Sequence, residues 1–194
     1  FAFAFNGIMR TLSTQRNMKI HWVSGLAVML VGMALPLDLA ARASVIFCVF
    51  VVMCMEILNT AFESFVDLHV KQYVRTAMIA KDAAAAAVLV LAIGSVVVFA
   101  DILFHQWRTV MASGPAIVRT VIAGVPLLAM TATILVIPRS KFWVFVLGAA
   151  AIGLTAYLAY YSRDEVFSLG ALAFVAGALL TRARESKLFG VRDD

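Results

Sequence analysis

Six stretches of the chain are almost uninterruptedly apolar: residues 20–35, 43–62, 83–104, 116–137, 142–161 and 166–181. Each approaches the roughly 20 residues that carry a helix across a bilayer. The first and last are short and rely on Lys or Arg at their ends reaching the interface. Ahead of them, Phe1, Phe5, Ile8 and Leu12 recur at helical spacing, interrupted by Arg10, Thr11, Ser13 and Arg16. That is the pattern of an amphipathic helix lying in the membrane interface. The prediction is an all-α polytopic membrane bundle, with an N-terminal interfacial helix and about six transmembrane helices. Pro36 and Pro138 close spans, Pro115 opens one, and Pro126 kinks the fourth.

Composition agrees with the pattern and removes the alternatives. The chain is 63% hydrophobic and 14% charged, with a mean hydropathy of +0.98, whereas soluble domains carry about 25% charged residues. With the N-terminus inside, Arg10, Arg16, Lys19, Lys71, Arg75, Lys81, Arg139, Lys141, Arg182, Arg184, Lys187 and Arg192 fall on the cytoplasmic side. Arg42, Arg108, Arg119 and Arg163 fall outside, a 12 to 4 division of the 16 basic residues. Positive short loops stay inside, so six spans with both termini cytoplasmic is the expected topology. The net charge of +5 then reads as an orientation signal and an affinity for anionic lipid, not as a nucleic-acid footprint. Trp22 and Trp143 near inner ends, and Trp107, Tyr157, Tyr160 and Tyr161 near outer ends, are placed as interfacial anchors. Cys48 and Cys54 lie about 9 Å apart along one helix and on different faces, so they are read as inert thiols. The chain opens on Phe1 rather than Met, and its natural start is expected further upstream.

Chemistry divides the chain near Ser113, Gly114 and Pro115. Residues 1–112 are dense in carboxylates and amides around the second and third spans. In residues 113–194 the membrane portions hold no Asp, Glu, Lys or His. In the second span, extended through Asp67, the side chains of Glu56, Asn59, Glu63 and Asp67 fall within roughly 80° of one another at 100° per residue. One helix face thus carries three carboxylates and an amide where membrane meets cytoplasm. An ionisable group at mid-membrane costs about 2.5–3.5 kcal/mol, so such groups mark a cavity, a partner or a function. The next span opens on Ala80, Lys81 and Asp82, followed by Ala83 through Ala87, small residues that allow close helix approach. A short connecting loop would set the two helix ends side by side. His21, His69 and His105 are scattered and do not suggest a shared metal site.

These residues carry a resemblance. Phe3, Ala4, Phe5, Asn6 and Gly7 at the start are joined by Gln15, Arg16, Asn17, Met18, Lys19, Ile20 and His21 before the first span. Glu56, Ile57, Leu58, Asn59, Thr60, Ala61, Phe62 and Glu63 follow, then Val66 and Asp67, then Ala80, Lys81, Asp82 and three alanines. Over roughly residues 1–105 the set resembles the bacterial integral-membrane diacylglycerol kinase and undecaprenol kinase family. The resemblance implies an enzyme of the bacterial inner membrane, a homotrimer with composite sites on the cytoplasmic side, that transfers the terminal phosphate of ATP with Mg²⁺ to a lipid hydroxyl. It implies Glu56 as general base, Asn59 as a positioning group, Glu63 as a metal ligand, Lys81 and Asp82 as the nucleotide-site pair, and Asp67 in their polar shell. No Walker-type phosphate loop and no soluble-kinase signature is present, so ATP rests on the resemblance.

The chain departs from the family pattern at Gln15, where relatives carry a Glu that makes a second metal contact. An amide oxygen reaches Mg²⁺ without adding negative charge. Residues 113–194 add three spans that short family members lack, and the region has neither the Pro-Ser-Gly-His segment nor the late Arg and His of the lipid phosphatases fused to some relatives. It is read as an accessory bundle. The leading reading is a lipid kinase, and the rival is a catalytically weak lipid-binding or scaffold protein on the same fold. The segments around Phe3 and His21 look more like the undecaprenol branch than the diacylglycerol branch.

Overall fold

The computed structural model describes residues 1–137, 140–162 and 164–189, with side chains described as far as Glu185. Pro138, Arg139, Arg163, Arg192 and the side chain of Lys187, used above for span closure and orientation, lie outside the described set. Within it, regular structure is helical throughout: α1 (Ala2–Thr14), α2 (Arg16–Ala34), α3 (Leu39–His69), α4 (Arg75–His105), α5 (Trp107–Ala112), α6 (Gly114–Val136), α7 (Lys141–Tyr161) and α8 (Glu165–Phe189). Five of these, α3, α4, α6, α7 and the Glu165–Glu185 part of α8, are long and apolar enough to cross a membrane. The all-α polytopic membrane bundle expected from the sequence is therefore the fold observed.

The helices form two compact units, one of Phe1–Asp38 with Gln106–Asp194 and one of Leu39–His105. This grouping does not follow the chemical division near Ser113, because α1 and α2 belong with α6, α7 and α8. In the first unit α2 is the central element, packed against α6 and α8. Its seam with α8 runs antiparallel and depends on small residues. A Cβ on Gly32 would lie 2.6 Å from the Phe167 ring and one on Gly170 would lie 2.7 Å from Met29 Sδ, while one on Gly177 would meet the Trp22 ring. Trp22 Nε1 donates to the Phe174 carbonyl at 2.8 Å. Around this seam Leu26, Leu127, Ile134, Phe167 and Val175 are fully buried.

The far end of α8 grips α1. Thr181 Oγ1 is 3.5 Å from Met9 Sδ, Arg184 donates to Asn6 Oδ1, and its guanidinium lies 4.9 Å from the Phe5 ring centre. The expected amphipathic helix thus exists. Its Leu12 and Met9 are buried in protein, while Phe1 and Phe3 remain exposed. At the other end of α8, Asp164 Oδ1 accepts from the amides of Val166 and Phe167 at 2.9 and 3.0 Å, capping the helix start. Pro115 sits in the first turn of α6, and α6 continues through Pro126.

The second unit is a helical hairpin of α3 and α4 joined at residues 70–74. Val88 is the buried residue of α4, and 6% of its most apolar window is covered by protein. Leu89, Val90, Ile93, Val96 and Val97 are exposed, as befits a helix whose solvent is lipid.

Candidate active site

On α3 the buried residues are Ala41, Val45, Val52, Met53, Glu56 and Asn59. At about 100° per residue all but Met53 fall on one narrow stripe, and α4 is the helix α3 packs against. Glu56 and Asn59 therefore continue the apolar stripe upward, replacing hydrocarbon with a carboxylate and an amide. Both are nearly inaccessible, at 3% and 5% exposure. Neither position is suited to packing alone, since a buried polar group without a partner costs about 1–3 kcal/mol.

The amide is only half satisfied. Asn59 Nδ2 donates to Glu63 Oε1 at 3.0 Å one turn further on, whereas Asn59 Oδ1 is buried with no hydrogen-bond partner. That carbonyl oxygen is an acceptor held ready beside Glu56. Thr60 does not fill the need, because its hydroxyl donates to the Glu56 main-chain carbonyl at 2.9 Å.

Beyond Glu63 the same face becomes solvated. Asp67 is exposed, and its Oδ1 accepts from Lys81 Nζ at 2.9 Å across the hairpin. The helix ends expected to lie side by side do so, because five residues connect them. Asp82 is exposed next to Lys81. Glu56, Asn59, Glu63, Asp67, Lys81 and Asp82 thus all lie on the hairpin, ordered from buried to open. Gln15 lies in the other unit, half-buried at the junction of α1 and α2.

Residues 2–103 match the family described as prokaryotic diacylglycerol kinase. The chain belongs to that family. It is 46% identical over 99 residues to a diacylglycerol kinase of Synechocystis sp., a match that covers 50% of this chain and 57% of that protein. It is 35% identical over 98 residues to an undecaprenol kinase of Bacillus subtilis, covering 50% of this chain and 80% of that one. The chain thus spans little more than half the length of the Synechocystis relative. No solved structure matches. The family match takes in α1 to α4 almost completely, and α5 to α8 lie beyond it.

The donor set on the hairpin fits a metal carried by a phosphate ligand better than a metal caged by protein. Among the described residues, no three or more His, Cys, Asp or Glu side chains cluster for an ion. Magnesium is commonly held by one or two carboxylates, phosphate oxygens and water. Glu63, which accepts from the Asn59 amide at 3.0 Å, is a half-buried carboxylate of the kind such a site would use. Arg16 and Lys19 enter the sequence reading as orientation charges and as part of the Gln15 to His21 segment, with no ligand of their own, although their spacing of three residues puts both on one face of α2, where they border a groove.

Proposed function

We propose that this protein is a lipid kinase that transfers the terminal phosphate of ATP to the hydroxyl of a membrane lipid at the cytoplasmic interface. The observation that carries the reading is the buried pair Glu56 and Asn59 inside a membrane-spanning helix, with one amide oxygen left without a partner. A carboxylate in that position accepts a proton from a lipid alcohol that never leaves its leaflet. As the alcohol oxygen attacks the terminal phosphorus, its proton passes to Glu56 and the bond to the bridging oxygen of ADP breaks. The hydroxyl's single hydrogen is directed at Glu56, and Asn59 positions the site by holding the Glu63 carboxylate through its amide N–H.

Phosphoryl transfer depends mainly on positioning and on neutralising charge. Lys81 supplies positive charge to the nucleotide phosphates, with Asp67 holding its ammonium in place and Asp82 beside it. Magnesium, when bound, would neutralise the transferred phosphate from a position held by Glu63. Gln15 takes the place of the family's second metal contact. The exposed apolar surface of α4 is suited to lipid and to further copies of the chain, as a trimer with composite sites requires.

Undecaprenol is the preferred acceptor in this reading, on the strength of the segments around Phe3 to Gly7 and Gln15 to His21. Purified protein in mixed micelles, given labelled ATP, Mg²⁺ and either undecaprenol or diacylglycerol, tests both points. Label in one lipid supports the kinase and names the acceptor. Folded protein that labels neither lipid overturns the reading and leaves the scaffold alternative, which Gln15 favours by weakening the metal site.

A further inference from the structure

A groove of about 380 Å³ runs along the first unit between the start of α2 and the end of α6. Arg16 and Lys19 line one limb, Ile20 and Val23 continue from them along α2, and Ala132 and Val136 form the facing wall on α6. Thr14 and Ser24 complete the lining, so four of its eight residues are aliphatic, and α6 is long and apolar enough to cross a membrane. The α6 wall lies outside the region matched by the family.

The cationic limb is uncompensated. Among the described residues neither Arg16 nor Lys19 takes part in an ion pair. The first turn of α2 holds no acidic residue and no side chain caps it, so the positive end of the helix dipole adds to both charges. Two free cations therefore sit where one wall of the groove enters apolar territory. A free anion would use only the charged limb and leave the aliphatic one wet. The aliphatic walls carry no aromatic ring for a base to stack on.

We infer that this groove binds a membrane lipid with a phosphomonoester head group, its phosphate between Arg16 and Lys19 and its chain along Ile20, Val23, Ala132 and Val136. A phosphomonoester carries about −1.5 to −2 charges at neutral pH, which two cations match. A phosphodiester head group carries a single charge and leaves one cation unmatched. The helices beyond the family region thereby gain a ligand-binding role. Binding does not require the proposed phosphoryl transfer, although the product of that reaction is a lipid of this class.

Native mass spectrometry of the full chain in detergent, without ATP, tests the site directly. Dioleoyl phosphatidic acid should bind about tenfold more tightly than dioleoyl phosphatidylglycerol, and the paired change Arg16→Gln with Lys19→Gln should remove that preference. The paired change Arg16→Lys with Lys19→Arg keeps both charges and should keep the preference, so that loss in the Gln pair reports charge and not misfolding. Ala132→Phe, which narrows the aliphatic limb and leaves both cations, should weaken phosphatidic acid several-fold. Equal binding of the two lipids, or a preference that survives the Gln pair, overturns the inference. So does displacement of phosphatidic acid by millimolar inorganic phosphate with no effect of Ala132→Phe, which would make the groove a bare anion site. Because no nucleotide is present, failure of the kinase reading leaves each of these outcomes readable.

Discussion

Asn59 carries two opposing demands, and they separate in a variant. Its Nδ2 steers Glu63 while its Oδ1 stays buried without a partner, an arrangement that costs stability. Asn59→Leu fills the same space and removes the orphaned acceptor. Thermal unfolding should therefore occur at an equal or higher temperature in this variant, while kcat/KM falls by about tenfold or more through loss of positioning. A drop in both would mean that Asn59 is chiefly a packing residue. The face that holds it was legible in the sequence, because the spacing of Glu56, Asn59, Glu63 and Asp67 fixes it, whereas its buried continuation through Val52, Val45 and Ala41 was not. The pairing of Asn59 with Glu63, and of Asp67 with Lys81, was not, since it depends on rotamers and on a five-residue turn. Gln15 is the other residue whose chemistry is exposed to test. Gln15→Glu restores a formal charge at the family's metal position, and the Mg²⁺ concentration giving half-maximal activity should fall about threefold or more. An unchanged Mg²⁺ dependence would remove Gln15 from the metal site.

Among the helices, α2 was the least faithfully read. It forms where the first span was expected, yet it is not among the helices apolar enough to span by composition. Arg16, Asn17, Lys19 and His21 lower its hydropathy, and its other faces are covered by α6 and α8. A helix screened by protein need not satisfy a measure that presumes lipid on every side. Trp22, read as an interfacial anchor, also bonds to Phe174 and lies over Gly177. No local pattern announces a contact across about 150 residues of chain. The short α5 carried no apolar periodicity and was likewise missed. The seam itself gives a prediction. Gly177→Leu drives a side chain into the Trp22 ring and should destabilise the first unit by about 1–3 kcal/mol, the usual cost of overpacking. Gly153→Ala, at a helical glycine with open space around it, should be neutral or stabilising by up to about 1 kcal/mol. Thermal unfolding of the two variants side by side checks this. Equal stability would mean that the α2–α8 seam is looser than its geometry states.

For the whole molecule, the issue left by α2 is one of parity. Its 19 residues rise about 28 Å, close to the about 30 Å of the hydrocarbon core. Five crossings would leave the termini on opposite sides, and six would return both to the cytoplasm. The 12 to 4 division of basic residues supports six. Fusions of green fluorescent protein to each terminus should therefore both fluoresce, and alkaline phosphatase at either end should be inactive. An active phosphatase at one end would remove α2 from the spans. Under the six-span topology the ends of α3 and α4 that carry Glu63, Asp67, Lys81 and Asp82 face the cytoplasm, where ATP is. In the proposed reaction the acceptor hydroxyl approaches from the leaflet, and Glu56 is the side chain on which the chemistry turns. The most direct measurement is phosphoryl transfer from labelled ATP to lipid by wild type and Glu56→Gln, matched for helix content and detergent-solubilised state. The account predicts a loss of about a hundredfold or more in kcat, within the range for removing a general base, with little change in KM for ATP. A Glu56→Gln protein that retains wild-type kcat would contradict it.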